Sequence, residues 1–295
     1  MAQGKELSQK ARGILLGMQV NELTEHHIYA RIAKGMKAGP NRDILNKISQ
    51  EELRHAKIWE TYTKKVVKPK KFKIFWFTLL SRILGFTFAL KLMEKGEGQA
   101  SDTYATIIEE VPEAQKIAKD EDRHEEELLN LLDEERLQYV GSMVLGLSDA
   151  LVELSGTLAG LTFALQNTRI IALSGLITGI SATLSMASSE YLSSRSEGNH
   201  NAFKSGLYTG VVYLVTVAFL VLPYLLLPVD GFFTALAIML GTVVLIILGF
   251  TYYISVAKGV PFRKRFIEMA GISLTVAALS FGIGIVVKHF LGIEI

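Results

Sequence analysis

The stretch EELRHAKIWE, residues 51–60, places Glu52 three residues before His55. The same spacing recurs later in the chain, where Glu121 lies three residues before His124. In an α-helix, residues three apart lie one turn apart on the same face, so both side chains can reach one metal ion. Two such pairs on separate predicted helices favour one shared metal centre over two chance matches.

Each Glu-x-x-His pair is preceded by a further glutamate and a tyrosine. Glu22 lies seven residues before Tyr29 in NELTEHHIYARI, and Glu97 lies seven residues before Tyr104 in GEGQASDTYATI. A di-iron carboxylate bundle needs one inward glutamate from each of two helices and Glu-x-x-His from each of the other two. The duplicated pattern therefore predicts a dinuclear metal site.

The chain between these motifs favours an all-α fold. Apolar residues recur at three-and-four spacing, and Pro40 and Pro112 suit helix starts. The chain has no cysteine, which excludes thiolate zinc and iron–sulfur sites and leaves carboxylate and imidazole as the main metal ligands. We expect an antiparallel four-helix bundle with helices over residues 5–37, 41–66, 87–110 and 112–138.

These motifs resemble those of the rubrerythrin and ferritin-like family, over residues 1–138. The resemblance implies two irons, although manganese is an alternative, and a domain that captures, oxidises or senses iron. Rubrerythrin's cysteine-rich module is absent, which argues against an electron-fed peroxidase. The implied ligands are two bridging glutamates, two terminal glutamates and one histidine on each iron: Glu52 and Glu121, Glu22 and Glu97, and His55 and His124, with Glu94 as a further candidate.

The second half of the chain is poor in charge. Residues 1–139 hold 23 Lys/Arg and 22 Asp/Glu, whereas residues 140–295 hold 8 and 7. Five apolar runs near the length of a bilayer crossing follow one another there, so residues 139–295 are predicted to be a five-helix transmembrane domain. The predicted crossings cover residues 140–166, 168–192, 206–228, 231–257 and 266–291.

The distribution of basic residues predicts the orientation in the membrane. Six of the eight lie in the second and fourth connections between crossings, and the positive-inside rule places those connections in the cytoplasm. The N-terminus also lacks the apolar core of a signal peptide. We therefore expect a multi-pass membrane protein (of the cell membrane in a prokaryote) whose N-terminal domain is cytoplasmic.

Acidic residues inside the first two predicted crossings point to an ion pathway. Asp149 and Glu153 lie four apart on one helix face, and Met186 and Glu190 lie four apart on the next helix. Carboxylates within a crossing are costly and usually mark ion or proton paths, although Glu190 is near enough to an end to be merely interfacial. Carboxylates combined with a thioether suit Fe(II) or Mn(II).

GLSDALVELSGTLAGL (146–161) followed by SATLSMASSEYLSSRSE (181–197) resembles the opening crossings of the vacuolar iron transporter family. The resemblance implies Fe(II) or Mn(II) export from the cytosol in exchange for protons. It also implies a homodimer with Asp149 and Met186 on the path. The family has an acid about eight residues before the methionine, where this chain has Thr178; Glu153 and Glu190 are candidates to compensate. The whole chain resembles membrane-bound ferritins.

Two segments fit these domains less directly. Residues 68–93 carry lysines ahead of an apolar stretch too short to cross a bilayer, and we expect an amphipathic helix lying in the cytoplasmic membrane interface. Packing of that helix on the bundle or on a partner subunit is the alternative. A third Glu-x-x-His, Glu197 and His200, contains Gly198 and has no second cluster nearby, so we expect it not to bind metal.

Two functions remain open at this level. A metal exporter with a cytosolic di-iron domain needs acids in the centre of its crossings, whereas a membrane-anchored ferroxidase or peroxide-scavenging enzyme does not. Asp149, Glu153 and Met186 therefore favour the exporter. The near-neutral charge balance and the absence of a basic aromatic patch argue against nucleic acid as a partner.

Overall fold

A computed structural model of the protein describes residues 7–95, 107–130 and 138–291. The chain divides into two compact units, Met1–Glu134 and Glu135–Ile295. The described residues form helices joined by turns and loops and contain no strand, as the sequence predicts.

The part of the first unit that the structure describes contains three long helices and two short ones. Ser8 caps the first helix by accepting a hydrogen bond from the Ala11 amide, and Pro40 occupies the first turn of the second. The three long helices begin and end within a few residues of the predicted bounds wherever the structure describes them. The helices are α1 (Gln9–Lys34), α2 (Pro40–Thr63), α3 (Lys71–Ile83), α4 (Phe86–Lys95) and α5 (Glu113–Asn130).

Two sequence predictions about this unit need correction. The segment 68–93 is two helices rather than one, because Gly85 adopts a φ of 97° between α3 and α4. The helix predicted over 87–110 does not extend to its predicted end, since residues 107–110 form a turn. The middle of that predicted helix lies outside the described residues.

Two apolar clusters stand at opposite ends of the long helices. The first is contributed by all five helices and includes Ile28, Leu45, Ile74, Met93 and Leu128. The second includes Leu15, Trp59, Val111 and Ile117. Because α1 and α5 contribute to the second cluster near their starts and α2 near its end, α2 runs antiparallel to both. The middle turns of α1, α2 and α5 lie between the clusters and carry the predicted metal ligands.

The second unit has five helices that are long and apolar enough to cross a membrane, and all five match predicted crossings. They are α6 (Val140–Leu165), α7 (Thr168–Ser196), α8 (Ala202–Leu226), α9 (Phe232–Lys258) and α10 (Phe262–Leu291). The short connection before α7 follows from local chemistry, because Asn167 Oδ1 accepts hydrogen bonds from the Arg169 and Ile170 amides. Side chains from α6 to α10 form one apolar core.

Small residues in this unit serve close helix packing. A Cβ on Gly284 of α10 would collide with the carbonyl oxygen of Gly160 on α6, and a Cβ on Gly146 would lie 2.6 Å from the Thr209 carbonyl oxygen. Within one chain, neighbouring helices fill the space beside these glycines.

The α6–α10 crossing can be tested with two glycines on one helix. Gly284→Ala should destabilise the protein by about 1–3 kcal/mol, because the added methyl overpacks the contact with Gly160. Gly282→Ala is the matched control, since a Cβ there meets nothing within 4 Å and alanine favours the helix. Thermal unfolding of the full chain in detergent would rank the two variants, and equal unfolding temperatures would contradict the packing.

Candidate metal centre

Four predicted ligands from three helices converge between the apolar clusters of the first unit. Glu22 of α1, Glu52 and His55 of α2, and Glu121 of α5 each offer a ligand atom, and all four atoms lie within 4.8 Å of one another. Glu22, Glu52 and His55 are buried, while Glu121 has 30% of its side chain exposed. His124 of α5 adjoins them, and these five residues form the carboxylate–histidine cluster.

Glu52 and Glu121 each extend one carboxylate oxygen toward each histidine. Glu52 Oε2 lies 3.7 Å from His55 Nδ1, and Glu52 Oε1 lies 3.0 Å from His124 Nδ1. Glu121 Oε1 lies 3.1 Å from His55 Nδ1, and Glu121 Oε2 lies 3.8 Å from His124 Nδ1. The two histidine rings stack with their centroids 5.8 Å apart. This arrangement offers two neighbouring positions for metal ions. Glu52 of α2 and Glu121 of α5 each extend toward both positions.

The far nitrogen of each histidine is held by an acid from the opposite helix. His55 Nε2 lies 3.3 Å from Asp120 Oδ2, and His124 Nε2 lies 2.6 Å from Glu51 Oε2. A carboxylate on Nε2 keeps the proton there and leaves Nδ1 to face a metal. We call Glu51 and Asp120 the outer carboxylates.

The motif search did not single out the outer carboxylates, although the sequence carries a signal for them. An acid directly precedes the glutamate of both motifs, in EELRH and in DEDRH. The arginine of each motif binds at least one of these acids. Arg54 donates to Asp120, and Arg123 donates to both Asp120 and Glu51. The Arg54–Asp120 and Arg123–Glu51 ion pairs cross between α2 and α5 and fix the register of the two helices.

The arginines and histidines also set the charge state of the outer shell. The pKa of Glu51 is lowered: its partial burial opposes ionisation, but the hydrogen bond to His124 and the nearby Arg123 and Lys47 outweigh that burial. Glu51 therefore remains an ionised acceptor for the His124 N–H.

Trp59 orients the one cluster ligand from α1. Its indole Nε1 donates to Glu22 Oε1 at 3.3 Å, and its ring is fully buried in the second apolar cluster. The other oxygen, Glu22 Oε2, lies 3.9 Å from His55 Nδ1. Trp59 thus turns one Glu22 oxygen toward the His55 side of the cluster. Its indole also provides a fluorescent probe in contact with that ligand.

The cluster holds protons when no cation is bound. Burial, the hydrogen bond with Glu52 and the neighbouring carboxylates raise the pKa of Glu22 well above its usual value. Burial likewise raises the pKa of Glu52 to about 8. Burial opposes charging of His124, but the adjacent Glu121 and Glu52 carboxylates raise its pKa to about 11. A divalent cation would supply the positive charge that these protons supply in its absence.

A bound metal ion would satisfy the donor atoms of the cluster better than hydrogen bonds among those atoms do. Within the described residues, four of the buried cluster atoms make no hydrogen bond, although their nearest neighbours lie close. Unpaired buried polar atoms are costly, so their convergence favours an occupant that accepts several lone pairs. Carboxylate and imidazole donors suit Fe(II) or Mn(II). The four atoms are Glu52 Oε2, His55 Nδ1, Glu121 Oε1 and His124 Nδ1.

Other predicted residues of the first unit have different outcomes. Glu97 and Tyr104 lie outside the described residues, as does the side chain of Glu94. Tyr29 is buried in the first apolar cluster. Glu25, one turn after Glu22 on α1, is buried and accepts a hydrogen bond from Lys73 of α3.

The third Glu-x-x-His motif does not lie within a helix, so its three-residue spacing does not bring the two side chains together. α7 ends at Ser196, and Gly198 adopts a φ of 80°, so Glu197 and His200 do not share a helix face. Both residues are exposed.

Two of the predicted pathway residues of the second unit, Glu153 and Glu190, each accept a hydrogen bond from a residue of another helix. The two hydrogen bonds lie at different depths along the helices. Tyr213 of α8 donates to Glu153 at 3.1 Å, one turn beyond Asp149 on α6. Ser142, near the start of α6, donates to Glu190 of α7 at 2.7 Å. Ser142 precedes Asp149 by seven residues, so Glu190 lies about 10 Å nearer to that end of the span.

Met186 occupies the interval between these two hydrogen bonds. It precedes Glu190 by one helical turn, packs partly buried against the apolar core, and lies about 6 Å deeper than Glu190. Glu190, Met186, Asp149 and Glu153 therefore follow one another along the span in steps of about 4–6 Å. Among the described residues, this unit holds no group of three acids or histidines close enough to bind one ion together.

Comparison with known proteins adds one finding. Residues 140–202, which include α6 and α7, match the VIT family. No curated protein and no solved structure matches the chain. The similarity to the VIT family therefore covers the first two of the five helices that are long and apolar enough to cross a membrane.

The outer carboxylates should matter for metal affinity. Asp120→Asn weakens the acceptor on His55 Nε2 and should lower the affinity for Mn(II) about 10–100-fold. Quenching of Trp59 fluorescence in the full chain, with Trp76 changed to Phe, would report binding at this cluster. Asp122→Asn, at an exposed neighbouring position, should bind like the parent. Equal affinities for both variants would contradict the role given to Asp120.

Metal binding should also release protons. Because the pKa of Glu52 is raised to about 8, this carboxyl keeps its proton below that pH, and a bound metal must displace it. The affinity for Mn(II) should therefore rise by about tenfold per pH unit below pH 8 for each proton displaced. Calorimetry in buffers of different ionisation enthalpy would measure the release, and a pH-independent affinity would contradict it.

Proposed function

We propose that the protein exports Fe(II), with Mn(II) as a second substrate, from the cytosol across a membrane in exchange for protons. Its first unit is a ferritin-like di-iron domain that captures, oxidises or senses the metal before export. The main observation in support is the pair of acids Asp149 and Glu153 on α6, a helix that lies within the residues matching the VIT family. Tyr213 of α8 donates a hydrogen bond to Glu153 of this pair.

The second unit supplies suitable ligands at successive depths. An ion that loses its hydration shell needs new donors within a few ångströms at each step, and the four pathway residues lie at such intervals. Ser142 can orient Glu190 near one end of the span, and Tyr213 can orient Glu153 farther from that end. A carboxylate that releases the ion can take up a proton, which is how this chain would couple the two movements.

The exposure of Glu153 supports a homodimer. The structure leaves this carboxylate exposed on the surface of α6, although the helix is apolar enough to lie in lipid. α7 likewise exposes Ser181, Ser185 and Ser188 along one face. An ionised side chain facing lipid is costly, so a second copy, or a water-filled path between two copies, would best accommodate both surfaces.

In the first unit, the proposal assigns a role to each cluster residue. Glu52 and Glu121 would bridge two metal ions, His55 and Glu22 would hold one, and His124 with the predicted ligand Glu97 would hold the other. A dinuclear iron centre would supply redox chemistry with oxygen or peroxide when it is bound. The chain itself places the site between two apolar clusters and would hold the imidazole tautomers through Glu51 and Asp120.

The cytoplasmic orientation of the first unit rests on charge. The connection from α9 to α10 contains Lys258, Arg263, Lys264 and Arg265, and the positive-inside rule assigns it to the cytoplasm. Four crossings, α6 to α9, separate that connection from the N-terminal unit, and an even number of crossings places both on the same side of the membrane. The first unit would therefore meet metal before transport.

A second candidate function is that of a membrane-anchored ferroxidase or peroxide-scavenging enzyme. The observation in its favour is the degree to which the first unit is built around its cluster, including the reciprocal outer carboxylates. It leaves the acids of α6 without a role.

Transport in proteoliposomes separates the two functions. Asp149→Asn removes the charge and keeps the shape, and it should reduce Fe(II) accumulation about tenfold or more. Asp230→Asn, in the exposed turn between α8 and α9, is the matched control and should transport like the parent. Equal accumulation with Asp149→Asn and the parent protein would remove α6 from the pathway.

A second pair of variants tests the first unit in the same assay. Glu52→Gln with Glu121→Gln should abolish Trp59 quenching by metal. If transport by the parent protein is absent while Trp59 quenching and iron oxidation persist, the anchored enzyme is the correct function.

A further inference from the structure

An apolar stripe lies exposed along α3 of the first unit. Phe72, Phe75, Trp76, Leu79 and Ile83 fall at helical spacing on one face of this 13-residue helix, which is about 20 Å long. Phe72 is 77% exposed, Phe75 58%, Trp76 45% and Ile83 60%. We call this face the aromatic stripe.

The opposite face of α3 packs against the rest of the first unit. These contacts fix the orientation of α3 and therefore the exposure of the stripe. Ile74 is buried in the first apolar cluster, and Lys73 donates to the buried Glu25 of α1. The Lys70 amide donates to Thr24 Oγ1, and its ammonium group donates to Asn21. α3 is therefore held in one rotation that turns the aromatic stripe outward.

A basic groove runs beside the stripe. It has a volume of about 510 Å³ and lies between the end of α1 and α3. Arg31, Lys34 and Arg82 supply its charge, and Phe75, Thr78 and Leu79 supply its remaining wall. None of its described lining residues is acidic. Three cations over an apolar wall suit a ligand with an anionic head and a hydrocarbon tail.

We propose that α3 inserts its aromatic stripe into the surface of the membrane that the second unit crosses, and that the basic groove binds the headgroup of an anionic phospholipid. The stripe buries apolar side chains at the boundary between headgroups and acyl chains, as interfacial helices do. Lys68 and Lys71, exposed at the start of α3, add attraction to an anionic surface.

The chain itself favours a membrane as the occupant. The polypeptide continues from α5 into a helix long enough to cross a bilayer, so this unit is tethered to a lipid surface. Large exposed aromatic side chains flanked by cations match the composition of such a surface. A protein partner would need complementary acids, and the groove offers it only cations.

Tryptophan fluorescence tests the inference in the full chain. The protein has two tryptophans, and Trp59 is fully buried while Trp76 lies in the stripe. In liposomes of phosphatidylcholine with brominated acyl chains, the parent protein should lose part of its emission. Trp76→Phe should lose almost none, because Trp59 is remote from solvent.

The headgroup requirement is tested by the identity of the brominated lipid. A minor fraction of brominated phosphatidylglycerol should quench Trp76 more strongly than the same fraction of brominated phosphatidylcholine. Arg31→Gln with Arg82→Gln should reduce that preference about tenfold. Lys57→Gln with Lys64→Gln removes two exposed charges away from the groove and should leave the preference unchanged.

Three results would overturn the proposal. Equal quenching of the parent protein and Trp76→Phe would place the stripe outside lipid. Protection of Trp76 from aqueous acrylamide without quenching by brominated lipid would show that protein covers the stripe. Reversal of the lipid preference by inorganic phosphate would assign the groove to a soluble anion. None of these results bears on transport, so the proposed function is tested independently.

Discussion

The first unit depends on the cost of placing three glutamates and two histidines between two apolar clusters. Removing a single carboxylate from water costs several kcal/mol unless it is compensated. The chain compensates in two ways: burial raises the pKa of Glu22 and of Glu52, which favours their neutral forms, and the neighbouring carboxylates raise the pKa of both histidines, which favours their charged forms. A bound divalent cation would compensate in a third way and would give the unpaired donor atoms a partner.

The residues that surround the cluster also compensate for the burial of its charges, and these residues belong to the duplicated motif. Each of α2 and α5 carries an acid, a glutamate, an arginine and a histidine in the same order. Each outer carboxylate binds the histidine of the opposite helix, and the arginines tie the pair together. A shift of one helix against the other would break these contacts together, so the outer ion pairs set the geometry of the inner donors.

Sequence reasoning succeeded where a local rule was sufficient. The three-residue spacing pointed to Glu52, His55, Glu121 and His124, which the structure brings together, and hydropathy located the five helices long and apolar enough to cross a membrane. It failed where the outcome depends on tertiary contacts. The hydrogen bond of Lys73 to the buried Glu25 and the filling of the space beside Gly160 both depend on residues distant in sequence. The outer carboxylates were missed because their partners lie on the opposite helix.

Under the proposed function, the two units would divide the handling of metal between them. The first would hold metal in a cluster of converging donors, and the second would pass it along single donors in succession. Mössbauer spectroscopy of the full chain loaded with ⁵⁷Fe tests the dinuclear reading of the cluster most directly. A spin-coupled iron pair that is lost in Glu52→Gln is the predicted result. Uncoupled iron at this cluster, or no iron that depends on Glu52, would contradict it.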